Sequence, residues 1–149
     1  SYPFTTKGVI VGLREEGRIR LQFVDTPGIL DRPADERNPI ERQALSAMMN
    51  VASVILFILD PSEHCGYPME MQLRLLDEVK DMVTVPLVVV ANKSDLKVQE
   101  GYRAMSTETK DGVDEVLKEL LSFRPAWEAS RKAADESKAD EKPDDSPAV

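Results

Sequence analysis

Polar residues follow two apolar stretches of this 149-residue chain, at positions where strands are expected to end. The first is Asp25-Thr26-Pro27-Gly28 and the second is Asn92-Lys93-Ser94-Asp95. Ligands of open α/β sheets bind beyond the carboxyl ends of the strands. An aspartate there can hold a magnesium ion through a water, and a glycine amide can approach a terminal phosphate closely. The two stretches therefore predict one nucleotide site, with phosphates at the first and a base at the second.

The second stretch has the groups needed to distinguish guanine from adenine. The Asp95 carboxylate can accept hydrogen bonds from both the ring N–H and the exocyclic amine of guanine, which adenine does not offer in that arrangement. The aliphatic stem of Lys93 can lie over the base plane, and Asn92 can tie neighbouring loops together. The alternative is an ordinary polar turn, since these residue types are common at strand ends. The upstream Asp25-x-x-Gly28 favours the guanine-binding interpretation.

The first stretch is positioned by a predicted β-hairpin. Residues 8–13 and 19–24 have the alternation of strands and lie on either side of a charged, glycine-bearing turn at residues 14–18. This arrangement is typical of an antiparallel pair. Residues 29–37 are polar and lack periodicity, which predicts a loop.

A helix is predicted after this loop, because Asn38 can cap it, Pro39 suits its first position and Glu41 lies three residues after the cap. The apolar stripe expected to be buried consists of Ile40, Ala44, Ala47, Met48 and Val51. Residues 54–59 are continuously apolar, which is typical of a strand buried on both faces.

The same alternation of strands and helices continues to the end of the apolar sequence. A second helix is predicted from Pro68, a buried strand at residues 87–91 and a short strand at residues 103–106. The last helix has apolar residues at i, i+3, i+4, i+7 and i+8, namely Val113, Val116, Leu117, Leu120 and Leu121. Strands that alternate with helices predict an α/β fold with a mostly parallel sheet and helices on both faces.

Composition restricts the class of protein further. The net charge of −8 argues against a broad electrostatic grip on nucleic acid. The single cysteine, Cys65, excludes an internal disulfide and favours a reducing compartment. No apolar run approaches the roughly 20 residues that span a bilayer, and no signal peptide is visible. We therefore expect a soluble, cytoplasmic monomer without a membrane partner. His64 adjoins Cys65, but two neighbours do not make a metal site, and a loop role is expected.

Four motifs, in this order, resemble the Obg and nucleolar GTP-binding (Nog) group of translation-factor-class P-loop GTPases. They are Tyr2-Pro3-Phe4-Thr5-Thr6, similar to the first switch; Asp25-Thr26-Pro27-Gly28, similar to the magnesium and γ-phosphate motif; Asn92-Lys93-Ser94-Asp95, similar to the guanine motif; and Ser106-Thr107-Glu108, similar to the second base-contacting loop. The resemblance covers about residues 2–121. Asp31-Arg32-Pro33, Arg37-Asn38 and residues 60–67 most resemble the Nog branch of archaeal type.

The resemblance implies a role for each matching residue, with GTP or GDP and magnesium as cofactors. Thr6, rather than Thr5, is expected to bind magnesium and sense the γ-phosphate; a plain loop hydroxyl is the alternative. Asp25 is expected to bind magnesium through water, and Gly28 to meet the γ-phosphate.

The same resemblance assigns the base-reading residues. Asn92, Lys93 and Asp95 are expected to read guanine. Ser106 and Thr107 are expected to support the base through backbone groups, although Thr107 stands where the group usually has alanine.

Two departures from the group affect the phosphate chemistry. Many GTPases have a glutamine directly after Asp-x-x-Gly to orient the attacking water, but this chain has Ile29, so no catalytic residue is assigned. The phosphate loop Gly-x-x-x-x-Gly-Lys-[Ser/Thr] also does not occur in the chain. We therefore expect an N-terminally truncated three-layer G-domain fold that lacks its first strand, phosphate loop and first helix. Its sheet should be broken between the strands that end at Asp25 and Asp60.

Residues 1–124 are accordingly expected to form a partial GTP-binding domain, and residues 125–149 an acidic, disordered tail. The parent protein is predicted to be a GTPase switch that hydrolyses GTP to GDP during assembly of the large ribosomal subunit. A precursor particle and its rRNA would be its partners, and the fragment alone should be inactive. The alternative is a non-catalytic remnant that serves as an interaction module without binding nucleotide.

Overall fold

The computed structural model describes residues 10–16, 19–25 and 39–123. The elements in these ranges are β1 (Ile10–Glu16), β2 (Ile19–Asp25), α1 (Pro39–Val51), β3 (Ile55–Leu59), α2 (Met69–Met82), β4 (Leu87–Ala91), β5 (Arg103–Ala104) and α3 (Val113–Ser122). The strands form two sheets, β1-β2 and β3-β4-β5. The break expected between the strands that end at Asp25 and Asp60 is present, because β2 and β3 belong to different sheets.

The first sheet is the predicted antiparallel hairpin. Its pairing runs from Ile10 opposite Asp25 to Glu16 opposite Ile19. β1 extends to Glu16, so the charged residues predicted to form a turn continue the strand instead. The physical reason is a cross-strand ion pair: Glu15 lies opposite Arg20, and their side chains are 3.0 Å apart.

The second sheet is parallel throughout. Ile55 pairs with Leu87 and Leu59 with Ala91, while Ala91 also pairs with Ala104. Parallel neighbours need a crossover connection, and α2 supplies it between β3 and β4. The central position of β4 places the residues after Ala91 between two other strand ends.

The three-stranded sheet is covered on both faces, as the α/β pattern predicts. One core contains Leu45 of α1 and Val79 of α2, with Ile55 and Phe57 packed against them. The other core consists of Val88, Val90, Met105, Val116 and Leu120, with Leu56 packed against it. Ile55 and Phe57 face away from Leu56 because side chains alternate along a strand. The predicted mixed α/β, three-layer class is therefore confirmed for this sheet.

Two predicted burial patterns are wrong in part. Leu45 and Met49 are the buried residues described on α1, whereas Ala47 is exposed and Val51 is 84% exposed. The side chains of the other predicted stripe residues, Ile40, Ala44 and Met48, lie outside the described residues. Each residue turns a helix by about 100°. Ala47 and Val51, which are two positions from a buried residue, therefore lie on a different face of α1. β3 contacts a core on each face but is only partly buried, since Ile58 is 50% exposed on this edge strand.

None of the helices in the described ranges combines the length and apolar character needed to cross a membrane.

Candidate functional site

Three loops leave the carboxyl edge of the parallel sheet side by side. Leu59 and Ala91 are paired at the ends of β3 and β4, so Asp60 and Asn92 follow at neighbouring positions. The Asn92 N–H donates to the Leu59 carbonyl at 2.9 Å, which extends the ladder by one bond. Ala104 pairs with Ala91 and brings the loop after β5 to the same edge. This edge is where ligands of α/β sheets bind.

Asn92 joins two of these loops, as its residue type indicates. Its Oδ1 accepts a hydrogen bond from the Thr107 backbone N–H at 3.1 Å. Its Nδ2 donates to the Thr107 hydroxyl at 3.4 Å. One side chain thus links the predicted guanine motif to the predicted second base-contacting loop.

Asp95 is oriented by a buried hydroxyl. The Ser106 Oγ donates to Asp95 Oδ1 at 2.6 Å and accepts from the Thr109 N–H at 3.1 Å. Ser106 is 0% exposed, whereas Asp95 is exposed. The Ser106 backbone N–H is already bonded to the Asp111 carbonyl at 2.9 Å. The contribution of Ser106 to this arrangement therefore comes from its hydroxyl rather than its backbone N–H.

Lys93 is held at both ends. Its backbone has φ of 58°, in the left-handed region, and its carbonyl accepts from the N–H groups of Leu96 and Lys97 at 2.9 and 3.0 Å. Its ammonium Nζ lies 2.6 Å from Asp60 Oδ2, across the sheet edge. Lys93 is among the residues that line a cavity of about 320 Å³.

That cavity collects the predicted base-reading residues. Lys93, Asp95, Ser106 and Thr107 all line it, and His64 reaches it from the loop between β3 and α2. Asn92 does not appear in the lining but fixes the loop that carries Thr107. The structure therefore places Lys93 and Thr107, which are 14 positions apart in sequence, around a single concave surface.

Asp60 is a member of this site that the sequence pattern did not assign. Its Oδ1 accepts from the Ser62 N–H and hydroxyl at 3.1 and 2.5 Å, and its Oδ2 accepts from the Cys65 N–H at 2.9 Å as well as from Lys93. Burial acts to raise the pKa of Asp60, but the hydrogen bonds from Lys93, Ser62 and Cys65 outweigh it and hold the pKa below its ordinary value of 3.8. The available signal was its position: like Asp25, it directly follows an apolar strand.

Gln72 of α2 was also missed, although a polar residue among buried helix positions is a visible signal. Its Oε1 accepts from the Asp60 N–H at 2.7 Å. Its Nε2 donates to the carbonyls of Asp60 and Tyr67, both at 2.9 Å. Because Gln72 is buried, these bonds anchor the loop of residues 60–68 to the helix.

The predicted phosphate half is described only at Asp25, the last residue of β2. Thr6 and Gly28 lie outside the described residues, as does Ile29. A carboxylate oxygen at a strand end suits magnesium, so Asp25 fits the predicted water-mediated contact. The described ranges contain no cluster of three or more His, Cys, Asp or Glu residues that could hold a metal ion. The assignments of Thr6, Asp25 and Gly28 stay predictions.

Comparisons with known proteins point to the same group of GTP-binding proteins. The family model described as "Nucleolar GTP-binding protein 1 (NOG1)" matches residues 39–95, a range that includes Asp60, Gln72 and the complete guanine motif. Nucleolar GTP-binding protein 1 of Drosophila melanogaster is 38% identical over 147 residues, covering 83% of this chain and 22% of the relative. Over most of its length the chain is similar to proteins of the nucleolar GTP-binding protein 1 group.

Two further similarities extend this result. The uncharacterized protein MJ1408 of Methanocaldococcus jannaschii is 55% identical over 100 residues, covering 67% of this chain and 27% of that protein. A crystal structure from Plasmodium falciparum, titled as a "putative nucleolar GTP-binding protein 1", aligns with a TM-score of 0.66 at 26% identity. That alignment covers 88% of this chain and 77% of the solved one. The fold of the chain is thus shared with a member of the nucleolar GTP-binding protein 1 group.

These relatives correct the predicted location and show that the chain spans only part of their length. The expected cytoplasmic location is wrong, because the related proteins of fly, Arabidopsis thaliana and Saccharomyces cerevisiae are all named nucleolar. Net charge and a single cysteine carry no information on location within a reducing compartment, which is why composition pointed to the wrong place. The chain spans about a quarter of the length of the M. jannaschii and fly relatives, at 27% and 22%.

Proposed function

We propose that this chain carries the base-reading part of a guanine-nucleotide site in a GTPase switch. The observation that carries the proposal is the cavity at the carboxyl edge of the parallel sheet. It is lined by Lys93 and Asp95 of the guanine motif and by Ser106 and Thr107 of the next loop. The names of the relatives, which are GTP-binding proteins, support the same ligand.

Base recognition follows from the hydrogen-bond arrangement. The Ser106 hydroxyl uses one lone pair of Asp95 Oδ1, and an ionised carboxylate has further lone pairs for two N–H donors. Guanine presents two such donors side by side, the ring N–H and the exocyclic amine. The Lys93 stem forms an apolar wall for the purine, and Asn92 holds the loop of Thr107 in place.

The phosphate half of the proposal rests on the resemblance. Thr6 and Asp25 would hold a magnesium ion, Thr6 directly and Asp25 through water, and Gly28 would meet the γ-phosphate. The ion would supply positive charge that neutralises the phosphates during transfer to water. No residue of this chain is assigned as the group that orients the water, because Ile29 cannot form a side-chain hydrogen bond.

The cellular role proposed for the complete protein is assembly of the large ribosomal subunit, with a precursor particle and its rRNA as partners. Its reaction is hydrolysis of GTP to GDP by a monomer. The proposed domain organisation keeps residues 1–124 as the nucleotide-binding part and residues 125–149 as a separate acidic tail.

A nucleotide titration tests the proposal directly. GDP, GTP, ADP and ATP are titrated by calorimetry into the 149-residue chain and into the complete protein encoded by its gene, with magnesium present. We expect guanine nucleotides to bind at least 100-fold more tightly than adenine nucleotides, because adenine leaves the Asp95 carboxylate without donors. Equal affinity for GDP and ADP would remove the guanine assignment.

A second function, an interaction module without nucleotide binding, is favoured by one observation. The sequence contains no Gly-Lys pair of the kind that grips the β-phosphate. If the complete protein binds GDP and the 149-residue chain does not, the chain alone acts at most as such a module.

A further inference from the structure

The loop of residues 60–68 is built around one carboxylate. Both oxygens of Asp60 are used, Oδ1 by Ser62 and Oδ2 by Cys65 and Lys93. The loop is joined to α2 as well, since Gln72 bonds both the N–H and the carbonyl of Asp60. Asp60 is therefore fixed in its backbone and its side chain before any ligand arrives.

The position of Lys93 depends on this fixed carboxylate. A lysine has four rotatable side-chain bonds and loses rotamer entropy when it is held in one conformation. At Lys93 the side chain is 35% exposed, and its ammonium contacts a carboxylate whose own side chain is 10% exposed. The backbone end is fixed by the left-handed turn. With both ends held, the stem of this cavity-lining residue samples fewer conformations than that of a free lysine.

We propose that Asp60 is a positioning residue of the nucleotide site and acts by holding the Lys93 stem against the base. This inference rests on the proposed guanine-nucleotide binding. Asp60 does not itself touch the ligand in this mechanism. It neutralises the ammonium and directs it away from the base, so that the methylene groups present a preformed apolar surface.

The strain at Lys93 agrees with this role. A positive φ is a strained conformation for a non-glycine residue, and such conformations persist where surrounding contacts enforce them. Here the enforcing contacts are the ion pair with Asp60 and the bonds from Leu96 and Lys97 to the Lys93 carbonyl. The left-handed turn directs the stem from β4 across toward the end of β3.

A double-mutant cycle on GDP affinity tests the inference in the complete protein. The variants are Asp60→Asn, which keeps the shape but removes the charge, Lys93→Met, which keeps a flexible stem without the ammonium, and the two combined. We expect Asp60→Asn to weaken GDP binding about tenfold in the wild-type background and by less than about twofold in the Lys93→Met background. Calorimetry measures affinity, and thermal unfolding of each variant is recorded in parallel.

Two further variants complete the double-mutant cycle, one as a control and one as a substitute for Asp60→Asn. Glu70→Gln removes the exposed ion pair between Glu70 and Arg74 on α2, and it should leave GDP affinity unchanged. Ser62→Ala removes the hydroxyl that bonds Asp60 Oδ1, on the oxygen that does not contact Lys93. If Asp60→Asn does not fold, Ser62→Ala replaces it in the cycle, with a loss of about threefold expected in the wild-type background only.

The outcomes distinguish failure of the proposed function from failure of the inference about Asp60. If the wild-type complete protein does not bind GDP, the proposed function and this inference both fall. If it binds GDP but Asp60→Asn costs the same in both backgrounds, Asp60 supports the loop and does not act through Lys93, so the inference alone is overturned. Coupling between the two residues in thermal unfolding but not in GDP affinity overturns it equally.

Discussion

The buried Ser106 hydroxyl lies 2.6 Å from Asp95 Oδ1 and bridges this carboxylate to the Thr109 backbone N–H. Ser106 belongs to the loop after β5, whereas Asp95 follows β4. The hydroxyl thus sets the orientation of a carboxylate that is exposed at the cavity. Two loops must therefore fold together before Asp95 has the orientation that the proposed base recognition requires.

Asp95→Asn is expected to change the base preference from guanine to xanthine. The amide presents a donor where the carboxylate only accepts, and xanthine has a carbonyl in place of the exocyclic amine of guanine. We expect GDP affinity to fall about 100-fold, since the acceptor loses its charge and one N–H donor of guanine faces the amide N–H instead of an oxygen. Competition of GDP and xanthosine diphosphate for the complete protein measures the change. Asp77→Asn, in an exposed ion pair with Lys80, is the control. An Asp95→Asn protein that keeps the wild-type preference would exclude Asp95 as the base reader.

Ser106→Ala is expected to weaken guanine binding several-fold and to destabilise the chain by about 1 kcal/mol. The substitution removes an oxygen that donates to Asp95 and accepts from Thr109, while the methyl group still fills the buried space. Chemical denaturation and GDP titration give the two values. Ser122→Ala, which removes an exposed hydroxyl bonded to the Glu119 carbonyl, is the matched control and should change neither by much. A guanine affinity that is unaffected by Ser106→Ala would show that Asp95 needs no orienting hydroxyl.

The guanine motif could be placed from sequence because its spacing is local. Asn92, Lys93 and Asp95 directly follow an apolar strand, and the strand end fixes their place at the sheet edge. Asp60 could not be joined to Lys93 in this way, since 33 positions separate them in sequence. Only the parallel pairing of β3 with β4 makes them neighbours, and no short motif records that pairing.

Gln72→Leu is expected to destabilise the chain by about 2–3 kcal/mol, although it makes the helix more apolar. The leucine leaves the Asp60 N–H and the carbonyls of Asp60 and Tyr67 without their present partner in a buried position. An unsatisfied buried polar group costs roughly 1–3 kcal/mol, and water can satisfy part of this set. Urea denaturation measures the effect, with Gln43→Leu on the exposed side of α1 as the control. Equal stability of the two variants would mean that the loop does not depend on the helix.

The α/β class and every described strand and helix could be predicted, because apolar periodicity determines them locally. The face of each element that is buried was harder to predict from the sequence. On α1, Leu45 and Met49 compete with Ala47 and Val51 for the core, and the choice depends on α2 and on β3 rather than on α1. The length of β1 was likewise decided by a partner, Arg20, across the hairpin.

Asp60 is expected to give the chain a specific loss of stability in acid. Its folded pKa is below 3.8 because the bonds from Lys93, Ser62 and Cys65 outweigh burial. The unfolded chain therefore binds the proton more readily. The contribution of Asp60 is fully present above its unfolded pKa and is lost as the pH falls through the lower folded value.

Urea denaturation of the wild type and of Asp60→Asn between pH 7 and pH 3 measures this contribution. We expect the difference in free energy of unfolding between the two proteins to shrink as the pH falls below about 4. The Glu70→Gln variant, altered in an exposed ion pair, is the control. A difference that stays constant over this range would show that the charge of Asp60 does not stabilise the fold.

Gly112→Ala is expected to be far more damaging than Gly101→Ala, although both glycines have positive φ, 72° and 85°. A Cβ at Gly112 would lie 2.6 Å from the Ala104 carbonyl oxygen and 3.3 Å from Met105 Cα, whereas nothing lies within 4 Å at Gly101. Both variants pay roughly 1–2 kcal/mol for the left-handed conformation, so their difference measures the clash.

The clash has a functional consequence because Gly112 caps α3 directly behind the strand that leads to Ser106. Moving the Ala104–Met105 backbone by the required fraction of an ångström also moves Ser106 and, through its hydroxyl, Asp95. We therefore expect Gly112→Ala to lower both thermal stability and GDP affinity, and Gly101→Ala to lower stability alone. Thermal unfolding and GDP titration of the two variants separate these effects. If both variants lose GDP affinity equally, the positioning of Asp95 does not depend on the close packing at Gly112.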